Sequence, residues 1–221
     1  LIRDVRDFGL PYRDMTDLIR RITPSEKERI SDPEAALDGR PLRLSSVRVC
    51  SPIPHPEQDI ICLGVNYAAH ADESAQFDRK AFLLDRKKAT YFSKRAYQTS
   101  GPDDLIPSYP ELVTSLDYEA ELAVIIGRDC KNVCERDAAA CIFGYTVLND
   151  VSARNLQTEH NQWYFGKSLD GFTPMGPCIV TEDEIPYPPA LSISSTVNGE
   201  LRQNSNTKYL LHSISEIIAE L

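Results

Sequence analysis

Leu116-Asp117-Tyr118-Glu119-Ala120-Glu121-Leu122-Ala123-Val124-Ile125-Ile126-Gly127 carries the clearest structural signal in this chain. Apolar side chains fall at Leu116, Tyr118, Ala120, Leu122, Val124 and Ile126, every second position, which is the period of a β-strand. Side chains alternate across a strand, so Asp117, Glu119 and Glu121 project together from the other face. Two glutamates aligned in this way repel each other unless something positive lies between them. Hard divalent cations take carboxylate oxygens, so a metal site is one reading. A solvated outer face on an edge strand is the other.

The remainder of the chain narrows the field. Its 221 residues, 42% hydrophobic and 26% charged, have an ordinary globular composition. The length suits one good-sized core, or one domain with a small appendage. A formal charge of -9 argues against nucleic acid or an anionic membrane as the main partner. No apolar run approaches the ~18 residues that span a bilayer, and no signal peptide is recognisable. The chain starts at Leu1 rather than Met, as expected of a start inside a longer gene product. Cysteines at 50, 62, 130, 134, 141 and 178 form no C-x₂-C pair of a zinc site. They read as small buried hydrophobes with reduced thiols, which places the protein in the cytoplasm.

The texture changes along the chain. Residues 1–50 read as a small N-terminal region packed against a larger body at 51–221. Thr23-Pro24-Ser25-Glu26 and Ser31-Asp32-Pro33-Glu34 each match a helix-capping box, predicting two short helices. Leu44 to Val49 has β texture, and Asp59 to Val65 predicts a short buried strand ending at the Gly64 turn. Residues 71–90 are polar without a clean period and read as a mobile loop or lid. Asp137 to Ile142 predicts a helix leading into a strand at Tyr145 to Leu148. Asn198-Gly199 after the alternating Leu191 to Val197 is a strong hairpin signal. Short strands interrupted by isolated helices predict an α+β fold.

Several residues could carry chemistry. Asp150 closes a predicted strand. If Val151 to Gln157 is helical, Asp150, Arg154 and Gln157 share a face, although an ordinary helix-surface pair explains Asp150 and Arg154 equally well. In His70 and Glu73, an H-x-x-E spacing, a carboxylate can orient one imidazole nitrogen and leave the other as a general base, although the same spacing arises by coincidence on protein surfaces. Gly166-Lys167-Ser168 is not a phosphate loop, which would need glycine where Asn161 stands. Lys167 reads instead as a cation near several carboxylates, or as an ordinary solvated lysine.

Taken together, these segments resemble the fumarylacetoacetate hydrolase family over roughly residues 59–221. The resemblance rests on Gly64-Val65-Asn66-Tyr67-Ala68-Ala69-His70, on Leu116 to Leu122, on Gly144 to Arg154, on Gly166 to Phe172, on Pro174 to Pro177 and on Val197 to Glu200, in that order. It implies an α+β fold, a mixed β-roll with a small N-terminal region, usually dimeric. It further implies that Glu119, Glu121 and Asp150 bind Mg²⁺ (or Mn²⁺ or Ca²⁺), and that His70 and Glu73 form a catalytic pair. Arg154, Gln157 and Lys167 would surround the carboxylate and oxyanion of a small 2-oxo acid substrate. Family members continue beyond the position of Leu221 into a Thr-Gly-Thr-Pro strand, so the catalytic domain is expected to be incomplete here. The chemistry expected first is hydrolytic C–C cleavage of an acylpyruvate-like 2,4-dioxo acid, with water activated by His70. Isomerisation, decarboxylation or hydration of 2-oxo acids, or metal binding without catalysis, are the alternatives.

Overall fold

A computed structural model describes residues 1–37, 39–67 and 88–221. His70, Glu73 and most of the expected lid lie outside the described residues. The fold is mixed α/β, with short helices around small sheets. The strand expected at 116–127 is divided into β3 (Leu116–Asp117) and β4 (Ala120–Ile126). β4 pairs antiparallel with β5 (Ile142–Asn149), and β3 with β6 (Ser152–Ala153). The register is continuous across the division: Ala120 faces Asn149 and Asp117 faces Ser152. Glu119 and Asp150 therefore stand opposite each other in the gap, where the Asp150 N–H donates to the Glu119 carbonyl at 2.8 Å. Opposed residues of an antiparallel pair share a face, so the two carboxylates point the same way.

At the far end of the ladder the register shifts between Ile125 and Ile126, leaving Phe143 as an extra residue on β5. Such a bulge re-aims a side chain. Phe143 packs with Phe8, Leu10, Tyr12, Leu18 and Ile19, and so joins the N-terminal region to the sheet. A separate core of Ile142, Tyr145 and Ile214 receives the C-terminal helix, Ile214–Glu220. β7 (Val180–Thr181) pairs with β5 on its other side. β1 (Ile60–Leu63) and β2 (Tyr91–Lys94) form a second sheet. β8 (Ser192–Val197) and β9 (Glu200–Asn206) form the expected hairpin, with Asn198 and Gly199 both at positive φ as a type I′ turn requires.

Several local expectations are corrected. The first capping box holds: the Thr23 hydroxyl accepts from the Glu26 N–H at 3.3 Å and starts α2 (Pro24–Ser31). The second does not form, because Ser31 ends α2 and donates to the Lys27 carbonyl. Asp32 instead caps a 3₁₀ turn at Pro33–Ala35, accepting from the Glu34 N–H. Helix α1 (Met15–Arg21) was not expected; its cap is Asp14, whose carboxylate accepts from the Asp17 N–H. Leu44 to Val49 forms no strand: Leu44–Ser46 is a 3₁₀ turn with Leu44 exposed. Asp59 to Val65 does yield β1, but Ile61 is exposed, so the strand is not buried on both faces. The helix expected at Asp137 to Ile142 is a 3₁₀ turn over Glu135–Cys141, and Ile142 already belongs to β5.

The cysteine reading also changes. Cys50, Cys130, Cys134 and Cys178 are exposed, and Cys141 is buried. The buried reading holds for Cys141; apolar neighbours in sequence misled at the four exposed positions, which lie in turns and loops rather than on buried faces. Among the described residues, no helix is long and apolar enough to cross a membrane.

Candidate active site

The face carrying Glu119 and Asp150 meets the end of β2 and two short helices. Lys94, the last residue of β2, is fully buried and its ammonium has three acceptors. It donates to Asp150 Oδ1 at 2.8 Å, to the Val151 carbonyl at 3.1 Å and to the Lys167 carbonyl. Lys167 ends helix α4 (Tyr164–Lys167), and its own ammonium donates to Glu119 Oε2 at 2.6 Å and to Asp150 Oδ2 at 2.8 Å. Arg154 opens helix α3 (Arg154–Glu159). Its guanidinium reaches Glu119 Oε1 at 2.7 Å, Asp117 Oδ2 at 2.8 Å and Gln157 Oε1 at 2.9 Å. All four oxygens of Glu119 and Asp150 thus face a cation, and Glu119 is only 12% exposed. The solvated-edge reading of this strand is excluded.

The charges shift the neighbouring groups. Burial pushes the Asp150 carboxyl up, but the Lys94 and Lys167 ammoniums outweigh it and hold the acid below its usual range. Burial likewise works against the charge of Arg154, and the Glu119 and Asp117 carboxylates overcome it. Lys94 is pushed down by burial, partly offset by Asp150. With one carboxylate and two carbonyl acceptors around it, the three N–H donors of the ammonium form are matched one to one, whereas a neutral amine has only two.

Glu121 is different. Its carboxyl has no hydrogen-bond or ion-pair partner among the described residues, and burial together with Glu119 and Asp150 pushes it up to about 8. Burial and the Glu121 charge also push Tyr67 up to about 12. Burial first, and then Asp150, keep the Cys62 thiol neutral, at about 12.

An aromatic wall faces these groups across a broad cleft. The Lys167 ammonium lies 5.2 Å from the Phe92 ring centre, and Trp163 packs edge-on to Phe92 at 5.3 Å. The Trp163 ring lies against the backbone of Gly64, where a Cβ would come within 2.5 Å of it.

A family model of the fumarylacetoacetate (FAA) hydrolase C-terminal region matches residues 59–221. The chain belongs to the fumarylacetoacetate hydrolase family. It is 40% identical over 178 residues to oxaloacetate tautomerase YisK of Bacillus subtilis, an alignment covering 80% of this chain and 58% of that protein. With the mitochondrial oxaloacetate tautomerase fahd2 of Xenopus laevis it shares 38% identity over 217 residues, covering 96% of this chain and 64% of the relative. The chain therefore spans about three fifths of the length of these two relatives. Among solved structures, the fumarylacetoacetate hydrolase of Exiguobacterium antarcticum superposes with a TM-score of 0.76 at 36% identity, covering 94% of this chain and 69% of that one.

For a family member, the donor set suits the expected cation: three carboxylates share one face, and one of them lacks a partner among the described residues. They do not yet form a closed ligand shell. Among the described residues no three His, Cys, Asp or Glu side chains are gathered tightly enough to hold an ion. Glu119, Asp150, Arg154, Gln157 and Lys167 are brought into direct contact, and Glu121 lies beside them. Asp150 and Arg154 do not meet on one helix, because the helix starts only at Arg154. Asp150 turns instead to the two lysines. Lys94 was missed in the sequence. Its signal was faint: Phe92 and Lys94 share one face of β2, so the lysine follows an aromatic residue inward.

Gly166 explains how α4 comes so near. A Cβ there would lie 2.6 Å from the Gln157 nitrogen and 2.7 Å from the Ala153 carbonyl oxygen, both backbone atoms. Gly166→Ala is expected to lose about 1–3 kcal/mol of stability as α4 is forced off α3, measured by urea unfolding. An unchanged midpoint would show that the two helices separate freely.

Proposed function

We propose that the cleft binds a small 2-oxo acid at a divalent cation held by Glu119, Glu121 and Asp150, and interconverts the keto and enol forms of that acid. Mg²⁺ is the expected ion, with Mn²⁺ or Ca²⁺ as substitutes. The observation that carries this reading is the opposition of Glu119 and Asp150 across the strand gap, with Glu121 unpartnered among the described residues beside them. Similarity to two oxaloacetate tautomerases favours oxaloacetate or a related 2-oxo diacid as substrate.

Keto–enol exchange moves one proton between C3 and the 2-oxygen, breaks no C–C bond and consumes no water. The cation supplies Lewis-acid stabilisation of enolate charge when bound. Lys167 adds a hydrogen-bond donor toward the same developing charge from a buried position. His70, oriented by Glu73, would carry the proton between C3 and the 2-oxygen, taking it from one and delivering it to the other. Arg154 has its guanidinium on Asp117, Glu119 and Gln157, so its part is to orient Glu119. Gln157 retains the role of binding the substrate carboxylate. Phe92 and Trp163 limit the water that reaches the enolate. The same reading takes the small sheets as parts of one β-roll and the working protein as a cytoplasmic homodimer.

Hydrolytic cleavage of a 2,4-dioxo acid is the second reading. It is favoured by similarity to the Exiguobacterium fumarylacetoacetate hydrolase, and by an H-x-x-E pair suited to activating water. The two are separated by assaying enol-oxaloacetate, keto-oxaloacetate, acetylpyruvate and fumarylpyruvate, each with Mg²⁺ and with EDTA. Tautomerase activity is expected as EDTA-sensitive loss of enol absorbance above the spontaneous rate, without release of pyruvate. Faster formation of pyruvate from acetylpyruvate or fumarylpyruvate would favour the hydrolase, and pyruvate and CO₂ from oxaloacetate a decarboxylase. No EDTA-sensitive turnover on any of the four would leave a metal-binding protein without catalysis.

A further inference from the structure

Lys167 occupies an unusual position for a group expected to meet substrate. Its side chain is 2% exposed, and its ammonium bridges Glu119 Oε2 and Asp150 Oδ2. The other oxygens of the same carboxylates are held by Arg154 and Lys94. A hard divalent cation bonds such oxygens at about 2.1 Å. The ammonium already bonds Glu119 Oε2 and Asp150 Oδ2 at hydrogen-bond distance. Two cations cannot share these oxygens without strong mutual repulsion in a site so little exposed to water.

We infer that Lys167 is a built-in counter-ion that gives up its place between Glu119 and Asp150 when the divalent cation binds, so that metal entry and lysine release are one exchange. The inference rests on the reading of Glu119, Glu121 and Asp150 as the cation's ligands. The backbone of Lys167 stays where it is, because its carbonyl is held by Lys94. Only the side chain moves, and the cleft beside the Phe92 ring lies within its reach. Without metal the ammonium neutralises carboxylates that would otherwise repel each other. With metal the same ammonium is delivered into the cleft, where it can bind an anionic acid. The cation thus completes its own shell and also presents the charge that recruits substrate.

The test uses chelator-stripped protein and Mn²⁺ as probe, titrated by calorimetry into the wild type, Lys167→Gln and Glu121→Gln. Removing the competing ammonium is expected to tighten Mn²⁺ binding by about tenfold or more in Lys167→Gln, while Glu121→Gln loses most of its affinity. In parallel, wild-type protein is labelled with acetic anhydride, with and without Mg²⁺, and the peptides are weighed. Acetylation of Lys167 is expected to rise about fivefold or more with Mg²⁺, as an ion-paired buried amine becomes accessible, while Lys94 remains protected in both samples. If Lys167→Gln fails to fold, the labelling experiment decides alone. Equal Mn²⁺ affinity in wild type and Lys167→Gln would overturn the exchange while leaving the metal site standing. Tighter binding without a change in labelling would overturn it too, as a plain charge effect. Absence of Mn²⁺ binding in every form would overturn both the metal site and the exchange.

Discussion

Glu121→Gln is expected to produce a protein that is more stable than the wild type above pH 8 in the absence of metal, yet is inactive when Mg²⁺ is added. Glu121 titrates at about 8 in the folded chain against 4.5 for an ordinary glutamate, because burial, Glu119 and Asp150 all disfavour its charge. Below pH 4.5 the side chain is protonated in both folded and unfolded states and costs nothing. Between 4.5 and 8 the unfolded state releases its proton first, so the stability of the wild type falls as pH rises, and levels off above 8. Glutamine has no proton to lose, so this fall disappears. The variant should lead by roughly 3 kcal/mol above pH 8, with partial exposure screening some of the full penalty.

The measurement is urea unfolding of EDTA-treated wild type and variant from pH 5 to pH 9. Parallel curves across that range would show that Glu121 feels no strong field. Adding Mg²⁺ reverses the order, since a ligand that binds only the folded state stabilises it. The wild type should gain stability with Mg²⁺ and the variant little. Turnover in the variant is expected to fall by about a hundredfold or more, because one of the proposed ligands is lost.

Lys94→Met is expected to cause the largest loss of stability of any single change in the site. The methionine fills much of the lysine's volume but donates nothing. Asp150 is left with one cation instead of two, and the Val151 and Lys167 carbonyls lose the donor they share. Breaking a buried ion pair from one side costs about 3–5 kcal/mol, a large share of the ~5–15 kcal/mol that holds a typical domain folded. Thermal and urea unfolding at neutral pH measure the loss. A variant within about 0.5 kcal/mol of wild type would show that Asp150 is adequately held by Lys167 alone. The contrast with Glu121→Gln is the useful outcome, since one change removes a charge that the fold tolerates poorly and the other removes a charge on which the fold depends.

These two residues also mark how far the sequence could be read. Alternation placed Asp117, Glu119 and Glu121 on one face, and the structure keeps them there, because a two-residue period is enforced by the backbone itself. The hairpin at Asn198-Gly199 was legible for the same local reason. What the sequence could not show was the pairing of Glu119 with Asp150, which depends on the register between strands separated by a loop and a 3₁₀ turn. Lys94 was hidden because a lysine on a short strand is usually solvated, and only its three distant acceptors make it a buried one. The false helix start at Ser31 had the right residues at the right spacing. Asp32 took the capping role, and Pro33 has no N–H to give. His70 and Glu73 remain expectations drawn from resemblance, as their segment lies outside the described residues.

The extra residue at Phe143 places the slack of the β4–β5 ladder at the end farthest from the carboxylates. Length changes in the connection between the two strands can be taken up there, while the pairing that keeps Glu119 in step with Asp150 runs in constant register from Ile125 down to Asp117. The strand pair behaves as a ruler with one sliding end. Its bulged end can adjust, and the spacing of the Glu119 and Asp150 carboxylates does not adjust with it.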